Sequence, residues 1–225
     1  MKYTQPYVAP ILVVDAVIFQ LVNNVLEVVL IKRSNTPFQG AWALPGGYNP
    51  EGETTRDALQ RIVKEKAGID LTGDLSYVEQ LYTFDTVARD PRGHAVSVTY
   101  MGCGREFAVA GGETEAVSFP VSNLPELAYD HADIIHYAHD RLKAKLTYTN
   151  AVYAFLPKKF TLTELQTAYE AILGRELDKR NFRKKFLGLG LIHETDEMKR
   201  EGAHRPARLY VFNSASLESL SRSFD

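Results

Sequence analysis

Residues 46–69 restrict what this chain can fold into more than any other stretch. Gly46-Gly47-Tyr48-Asn49-Pro50-Glu51-Gly52-Glu53 is a run of turn-forming residues, and the segment after it reads as a helix that passes through Arg61 and Glu65 and stops at Gly68-Ile69. Positions 62, 65 and 66 are spaced i, i+3, i+4, which puts them on one helix face where side chains can converge on a metal. In this chain they are Ile62, Glu65 and Lys66. An apolar side chain ligates nothing, and a lysine ammonium has no acceptor atom and repels a cation. Glu53 and Glu65 remain as oxygen donors.

The full frame is Gly47, five residues, Glu53, seven residues, then Arg61-Ile62-Val63-Lys64-Glu65-Lys66-Ala67-Gly68-Ile69, led in by Trp42-Ala43-Leu44-Pro45-Gly46-Gly47. This resembles the Nudix box, in which the same glycine and glutamate spacing is followed by Arg-Glu-aliphatic-x-Glu-Glu-x-Gly-aliphatic. The resemblance implies a loop and helix that handle a pyrophosphate, with helical glutamates holding a divalent metal against it. Here the frame is kept, but Ile62 and Lys66 stand where the pattern has carboxylates, so the resemblance leaves Glu53 and Glu65 for a weak Mg²⁺ site at best. Trp42 and Pro45 are assigned to packing beside the loop.

Charge divides the chain. Residues 149–225 hold 13 Lys and Arg against 10 Asp and Glu, a balance of +3, whereas residues 1–148 stand at −5, so the two ends are suited to different partners. With 45% hydrophobic and 24% charged residues, the 225 positions suffice for one large domain or two small ones. The single cysteine, Cys103, excludes an intrachain disulfide framework, and between Gly102 and Gly104 it reads as an inert small residue. The N-terminus shows no leader pattern and no apolar stretch is long enough to span a bilayer, so a cytoplasmic protein is expected.

Ile11–Phe19 and Val25–Lys32 are apolar, largely β-branched runs joined by Asn23-Asn24, the pattern of a strand pair. Ser34–Gly40 is a loop. Tyr77–Phe84, Ala95–Met101 and Glu115–Pro120 read as further strands, and the polar segment Asp85–His94 as a binding loop on that scaffold. His131–Leu146 has helical spacing. Strands alternating with helices imply an α+β chain whose first part, residues 1–147, is an α/β/α sandwich with a mixed sheet. The six histidines do not cluster with carboxylates, and His131, His136 and His139 are spread around their helix in a solvated or core role.

Residues 148–225 form the second part. Tyr148–Leu156 is expected to be helical. Thr161 and Glu164 have capping-box spacing ahead of a helix that turns Leu162, Leu165, Tyr169 and Ile172 inward and ends at Gly174. Asp178 is the N-cap expected for a helix from Lys179 to Leu187, ended by Gly188. Leu191–His193 and Arg208–Phe212 read as a hairpin with a long tip carrying Lys199, Arg200, Gly202, His204 and Arg205. This is the order of a winged helix-turn-helix. Phe182 and Phe186 at i, i+4 would face the core and leave Lys179, Arg180, Asn181, Arg183 and Lys184 outward, able to meet phosphates and base edges of double-stranded DNA. Taken alone, the charge run is equally a solvated helix face; its conjunction with the other elements selects the DNA reading.

A degenerate Nudix domain followed by a winged helix resembles the NrtR family of Nudix-related transcriptional regulators. The resemblance implies a homodimeric repressor of NAD-metabolism genes that reads a palindromic operator and senses ADP-ribose through the Nudix domain. On that scheme Gly46 and Gly47 allow close backbone approach to a diphosphate. Arg33, Arg89 and Arg92 supply cationic contacts, Tyr48 or Phe84 flanks a base or ribose, and Glu53 and Glu65 help hold the ligand. Arg33 is equally an ordinary surface arginine. Two alternatives stay open: a Nudix hydrolase of ADP-ribose-like pyrophosphates using Glu51, Glu53 and Glu65, and a regulator of the same layout that answers to a sugar such as arabinose.

Overall fold

Asn23 and Asn24 both take left-handed backbone angles, with φ of 49° and 65°, which tolerant asparagines supply in tight hairpin turns. The computed structural model that shows this describes residues 7–111, 114–200, 206–220 and 224. In chain order the elements are β1 (Ile11–Val22), β2 (Val25–Lys32), β3 (Trp42–Ala43), β4 (Gly46–Tyr48), α1 (Thr55–Ala67), β5 (Tyr77–Phe84), β6 (Ala95–Cys103), β7 (Ala116–Pro120) and α2 (His131–Tyr148). The second half continues with α3 (Leu162–Leu173), α4 (Lys179–Gly188), β8 (Ile192–Lys199) and β9 (Ala207–Phe212).

The first seven strands form one mixed sheet. β1 pairs parallel with β6, from Ile11 opposite Ala95 to Phe19 opposite Cys103, and antiparallel with β2 and with β4. β5 lies at one edge beyond β6, and β2 carries β3 and β7. Because strand side chains alternate between faces, Val14, Ala16 and Ile18 pack with Leu59, Ile62 and Val63 of α1. Val17 and Phe19 pack on the other side with Ile134, Ala138 and Leu142 of α2. Covered on both faces, β1 is a nearly continuous apolar run, and Asp15 is the charge that interrupts it. α1 is closed by a Thr54–Asp57 capping box and by Gly68 at φ 71°.

The winged helix grows out of α2 with no break in the core. Phe155, Phe160, Tyr169, Phe182, Phe186 and Tyr210 belong to the same apolar cluster as Phe19 and Leu142, and His139 Nε2 on α2 lies 2.7 Å from the Ile172 carbonyl of α3. The Thr161–Glu164 box, the Gly174 stop and the Asp178 cap form as expected.

Three boundaries differ from the sequence reading. Residues 148–156 do not make an α-helix: α2 runs on to Tyr148, and Ala151–Phe155 is one 3₁₀ turn. α4 includes Gly188, and Gly190, at φ 67°, is the left-handed residue after it. β8 extends to Lys199 although Glu194, Asp196 and Glu197 give it little strand propensity; pairing with β9 holds it. Lys199 is therefore a strand residue and not part of the tip.

Candidate ligand cavity and nucleic-acid interface

A cavity of about 380 Å³ opens where β4 pairs with β1, walled by the 33–36 loop, by Arg89, Asp90 and Arg92, and by Tyr129 and His131 at the head of α2. Its floor is Asp15, buried, with the Ser97 hydroxyl donating to Oδ2 at 2.6 Å. Gly46 is required by this floor: a Cβ there would lie 1.9 Å from Asp15 Oδ1. A Cβ on Gly47 would come within 3.2 Å of Ile62. The two glycines thus make room for side chains beneath them as well as lining the cavity.

Four cations border the space. Lys66 Nζ donates to the Gly46 carbonyl, and its pKa is lowered by burial, with Asp15 acting in the opposite sense. Arg33 donates to the Pro37 carbonyl at 2.8 Å and lies 4.9 Å from the Tyr129 ring centre. Arg92 donates to Asp90, and to the Tyr48 hydroxyl at 2.7 Å, and faces the rings of Tyr48 and Tyr129. Arg89 is not a free loop cation: its side chain is 4% exposed and forks onto Asp130 at 2.9 and 2.7 Å, with Asp15 at 3.7 Å. Its charge is largely committed to tying the 89–92 loop to α2.

His131 Nδ1 accepts the Leu44 N–H at 2.9 Å, so a neutral ring carries its proton on Nε2, which points towards Asp15 3.9 Å away. Burial lowers its pKa against the pull of Asp15 and Asp130. The Tyr129 hydroxyl is buried without a partner among the described residues. With Arg33, Lys66, Arg89 and Arg92 against Asp15 and Asp90, the lining carries an excess of positive charge between two tyrosine rings. Such a lining fits a phosphate-bearing ligand with a planar group.

Three expected ligand contacts fall elsewhere. Phe84 is packed with Tyr82 and Tyr137 on β5 and α2, with ring centres 5.4 and 5.7 Å away, because its strand position faces α2. Glu53 forks onto Arg61 at 2.9 and 2.7 Å, which lowers its pKa. Glu65 is exposed, 3.6 Å from the same arginine. Neither glutamate borders the cavity. The three positions expected to share a metal face diverge, since Ile62 is buried against β1 while only Lys66 reaches the cavity. Among the described residues no three His, Cys, Asp or Glu side chains are grouped to hold a metal ion. Cys103 is buried, and burial raises its thiol pKa.

On α4, Phe182 and Phe186 stack on each other and pack against Tyr169. Lys179, Arg180, Asn181 and Lys184 are exposed. Arg183 is half-buried and donates to the Thr163 hydroxyl of α3 at 3.0 Å, so it steadies the helix pair. In the wing, Lys199 is paired with Glu164 at 2.7 Å, and Arg200 is exposed. His204 and Arg205 lie outside the described residues. The acidic side of the wing is committed too, Glu197 to Lys159 and Glu194 to Arg208. Among the described residues, α4 carries the largest share of the exposed cations expected to meet DNA, with Arg200 exposed at the end of β8. No helix among the described residues is long and apolar enough to cross a membrane.

Fold and sites define a Nudix-type ligand-binding unit joined to a winged helix. Residues 12–138 match the NUDIX domain and residues 152–212 the NrtR DNA-binding winged helix domain. The chain is 37% identical over 213 residues to the ADPR responsive transcriptional repressor NtrR of Acinetobacter baylyi, covering 92% of this chain and 83% of that one. It is similar to the crystal structure of Shewanella oneidensis NrtR complexed with a 27mer DNA, with TM-score 0.79, 32% identity and coverage of 95% of this chain and 99% of that one. The Nudix part also resembles the ADP-ribose pyrophosphatase of Methanocaldococcus jannaschii, 38% identical over 138 residues, which cover 60% of this chain and 76% of that enzyme. The chain belongs to the NrtR family of Nudix-containing, winged-helix transcriptional regulators.

Proposed function

We propose that this protein is a transcriptional repressor of NAD-metabolism genes that binds operator DNA as a homodimer through α4 and is released from it by ADP-ribose. The observation that carries the sensing half is Lys66. Its ammonium lies on the Gly46 carbonyl at the edge of the cavity, at a position where the Nudix pattern has a metal-holding carboxylate. A fixed cation there can neutralise a diphosphate and cannot polarise it as a divalent metal bound to oxygen ligands does. Binding without turnover suits a sensor. Arg33 and Arg92 would meet the phosphates and Tyr48 and Tyr129 a planar group, in keeping with the ligand named for the Acinetobacter repressor. These cations favour a phosphate-bearing effector over a neutral sugar such as arabinose.

The signal would travel along α2. Its first turn borders the cavity at His131, and Asp130 just before it holds Arg89; its far end packs against α3 and the winged helix. At 18 residues it spans about 27 Å. A diphosphate competing with Asp130 and Asp15 for Arg89 would loosen the anchor of α2 and shift the α4 pair of a dimer out of register with its two half-sites. Fluorescence anisotropy with the protein's own promoter fragment tests this reading: ADP-ribose should weaken binding, and unchanged affinity at saturating ADP-ribose refutes it.

A second reading, ADP-ribose hydrolysis, is favoured by the similarity to the Methanocaldococcus enzyme. It requires Glu53 to leave Arg61 and ligate metal with Glu65. Release of AMP from ADP-ribose with Mg²⁺ or Mn²⁺, abolished by Glu53→Gln, would establish it.

A further inference from the structure

A second cavity, of about 420 Å³, lies at the other end of α2, between its last turns, α3 and the first turns of α4. Its walls are apolar, from Leu146, Leu173, Leu177 and Phe182, and Tyr169 closes its depth. The Tyr169 side chain is fully buried and its hydroxyl has no partner among the described residues. An interior hydroxyl left unbonded is unusual and calls for a partner.

The rim is cationic. Arg175, after α3, and Lys185, on α4, are exposed and form no ion pair or side-chain hydrogen bond among the described residues. Lys143 on α2 faces the same space and among the described residues is held only by an exposed Asp140 at 3.3 Å. The one acidic lining residue among the described residues, Asp178, already accepts the Asn181 N–H as the cap of α4. The Asn181 amide borders the cavity with no bond of its own among the described residues. An apolar chamber with a hydroxyl inside and cations at its mouth that have no partner among the described residues is complementary to one class of ligand.

We propose that this cavity binds a small amphipathic anion, an apolar or aromatic body bearing a carboxylate, sulfonate or phosphate monoester. Its charge would sit between Arg175 and Lys185 and its body against Leu173 and Phe182. The site is distinct from the first cavity: Lys143–Thr147 lie about 18–24 Å along α2 from His131. It joins α2 to the flank of α4 that carries Asn181 and Lys185, so an occupant would bridge the sensing unit and the DNA-reading helix. Binding here does not require ADP-ribose to be the effector of the first cavity.

The test uses the full-length chain and 1-anilinonaphthalene-8-sulfonate, an aromatic anion whose fluorescence rises in apolar surroundings. Saturable binding at one site per chain is expected, and it should persist with the first cavity filled by excess ADP-ribose. Arg175→Glu with Lys185→Glu should weaken it at least tenfold, by reversing both rim charges on exposed positions that leave the core intact. Tyr169→Phe, which keeps the ring packing and removes only the hydroxyl, should weaken it several-fold. Absence of saturable binding overturns the proposal, as does displacement by ADP-ribose or an unchanged affinity in the double charge reversal.

Discussion

Lys66→Glu is the substitution that most directly probes the sensing chemistry. It exchanges the ammonium on the Gly46 carbonyl for a carboxylate, beside Glu65 and across the cavity from Asp15. A unit charge about 4 Å from a phosphate contributes on the order of 4 kcal/mol at the effective dielectric of a partly open site. The cavity is open and Arg33 and Arg92 remain, so a net loss of about 2–3 kcal/mol is expected without divalent cations. By the usual conversion that is roughly a 30- to 150-fold weaker ADP-ribose Kd. Millimolar Mg²⁺ should recover part of the loss in the variant, because the new carboxylate at position 66 and the Gly46 carbonyl would then offer oxygens to a hard cation beside the phosphates. In the native chain Mg²⁺ should change little. Isothermal titration calorimetry with EDTA or Mg²⁺ reads both quantities, and Lys66→Met separates loss of charge from its reversal. The reasoning is refuted if the native chain needs Mg²⁺ to bind ADP-ribose, or if Lys66→Glu binds it equally well in EDTA.

On α4, Arg180→Ala and Lys184→Ala should each weaken operator binding by about 1–3 kcal/mol and lower the salt dependence by about one ion for each phosphate no longer neutralised; Lys199→Ala, already paired with Glu164, should matter less in the same anisotropy titration. Gly46→Ala forces a Cβ to within 1.9 Å of Asp15 Oδ1 and should destabilise the fold by about 1–3 kcal/mol, read as a lower urea midpoint. His131 has its pKa lowered by burial, with Asp15, Asp130 and Arg89 facing it. Its neutral form is the folded one, so its contribution to stability is complete above the unfolded pKa of about 6.5 and declines as pH falls below that value. Urea melts at pH 7.5 and 5.5 should show a smaller acid loss in His131→Gln than in the native chain, and equal losses would remove His131 as the cause.

The elements are legible in the sequence where local chemistry decides them. The Thr161–Glu164 box, the Asp178 cap and the Asn23-Asn24 turn satisfy or permit backbone geometry within a few residues, so their spacing in the chain is enough to place them. β8 reads too short because its acidic residues have poor strand propensity, and only pairing with β9 overrides that. The candidate cavity is half legible. Arg33, Gly46, Gly47, Tyr48, Arg89 and Arg92 border it, whereas Phe84 does not, because a strand residue's facing depends on a register that its own run does not reveal.

Asp15, Tyr129 and His131 escape the sequence reading for a different reason. They come from a strand and a helix start more than a hundred residues apart, and no local pattern links them. One signal is present even so: a carboxylate in the middle of the apolar run Ile11–Phe19. A strand buried on both faces admits a charge only where something pairs it. The structure supplies that pairing in Ser97, Arg89 and His131, with Gly46 left bare above it. The absence of a side chain at Gly46, which the box pattern assigns to ligand approach, is thus required by a residue thirty-one positions upstream. Lys66 donates to the carbonyl of that same glycine, so the altered box and the buried aspartate belong to a single electrostatic unit, and a change at either should be felt at the other.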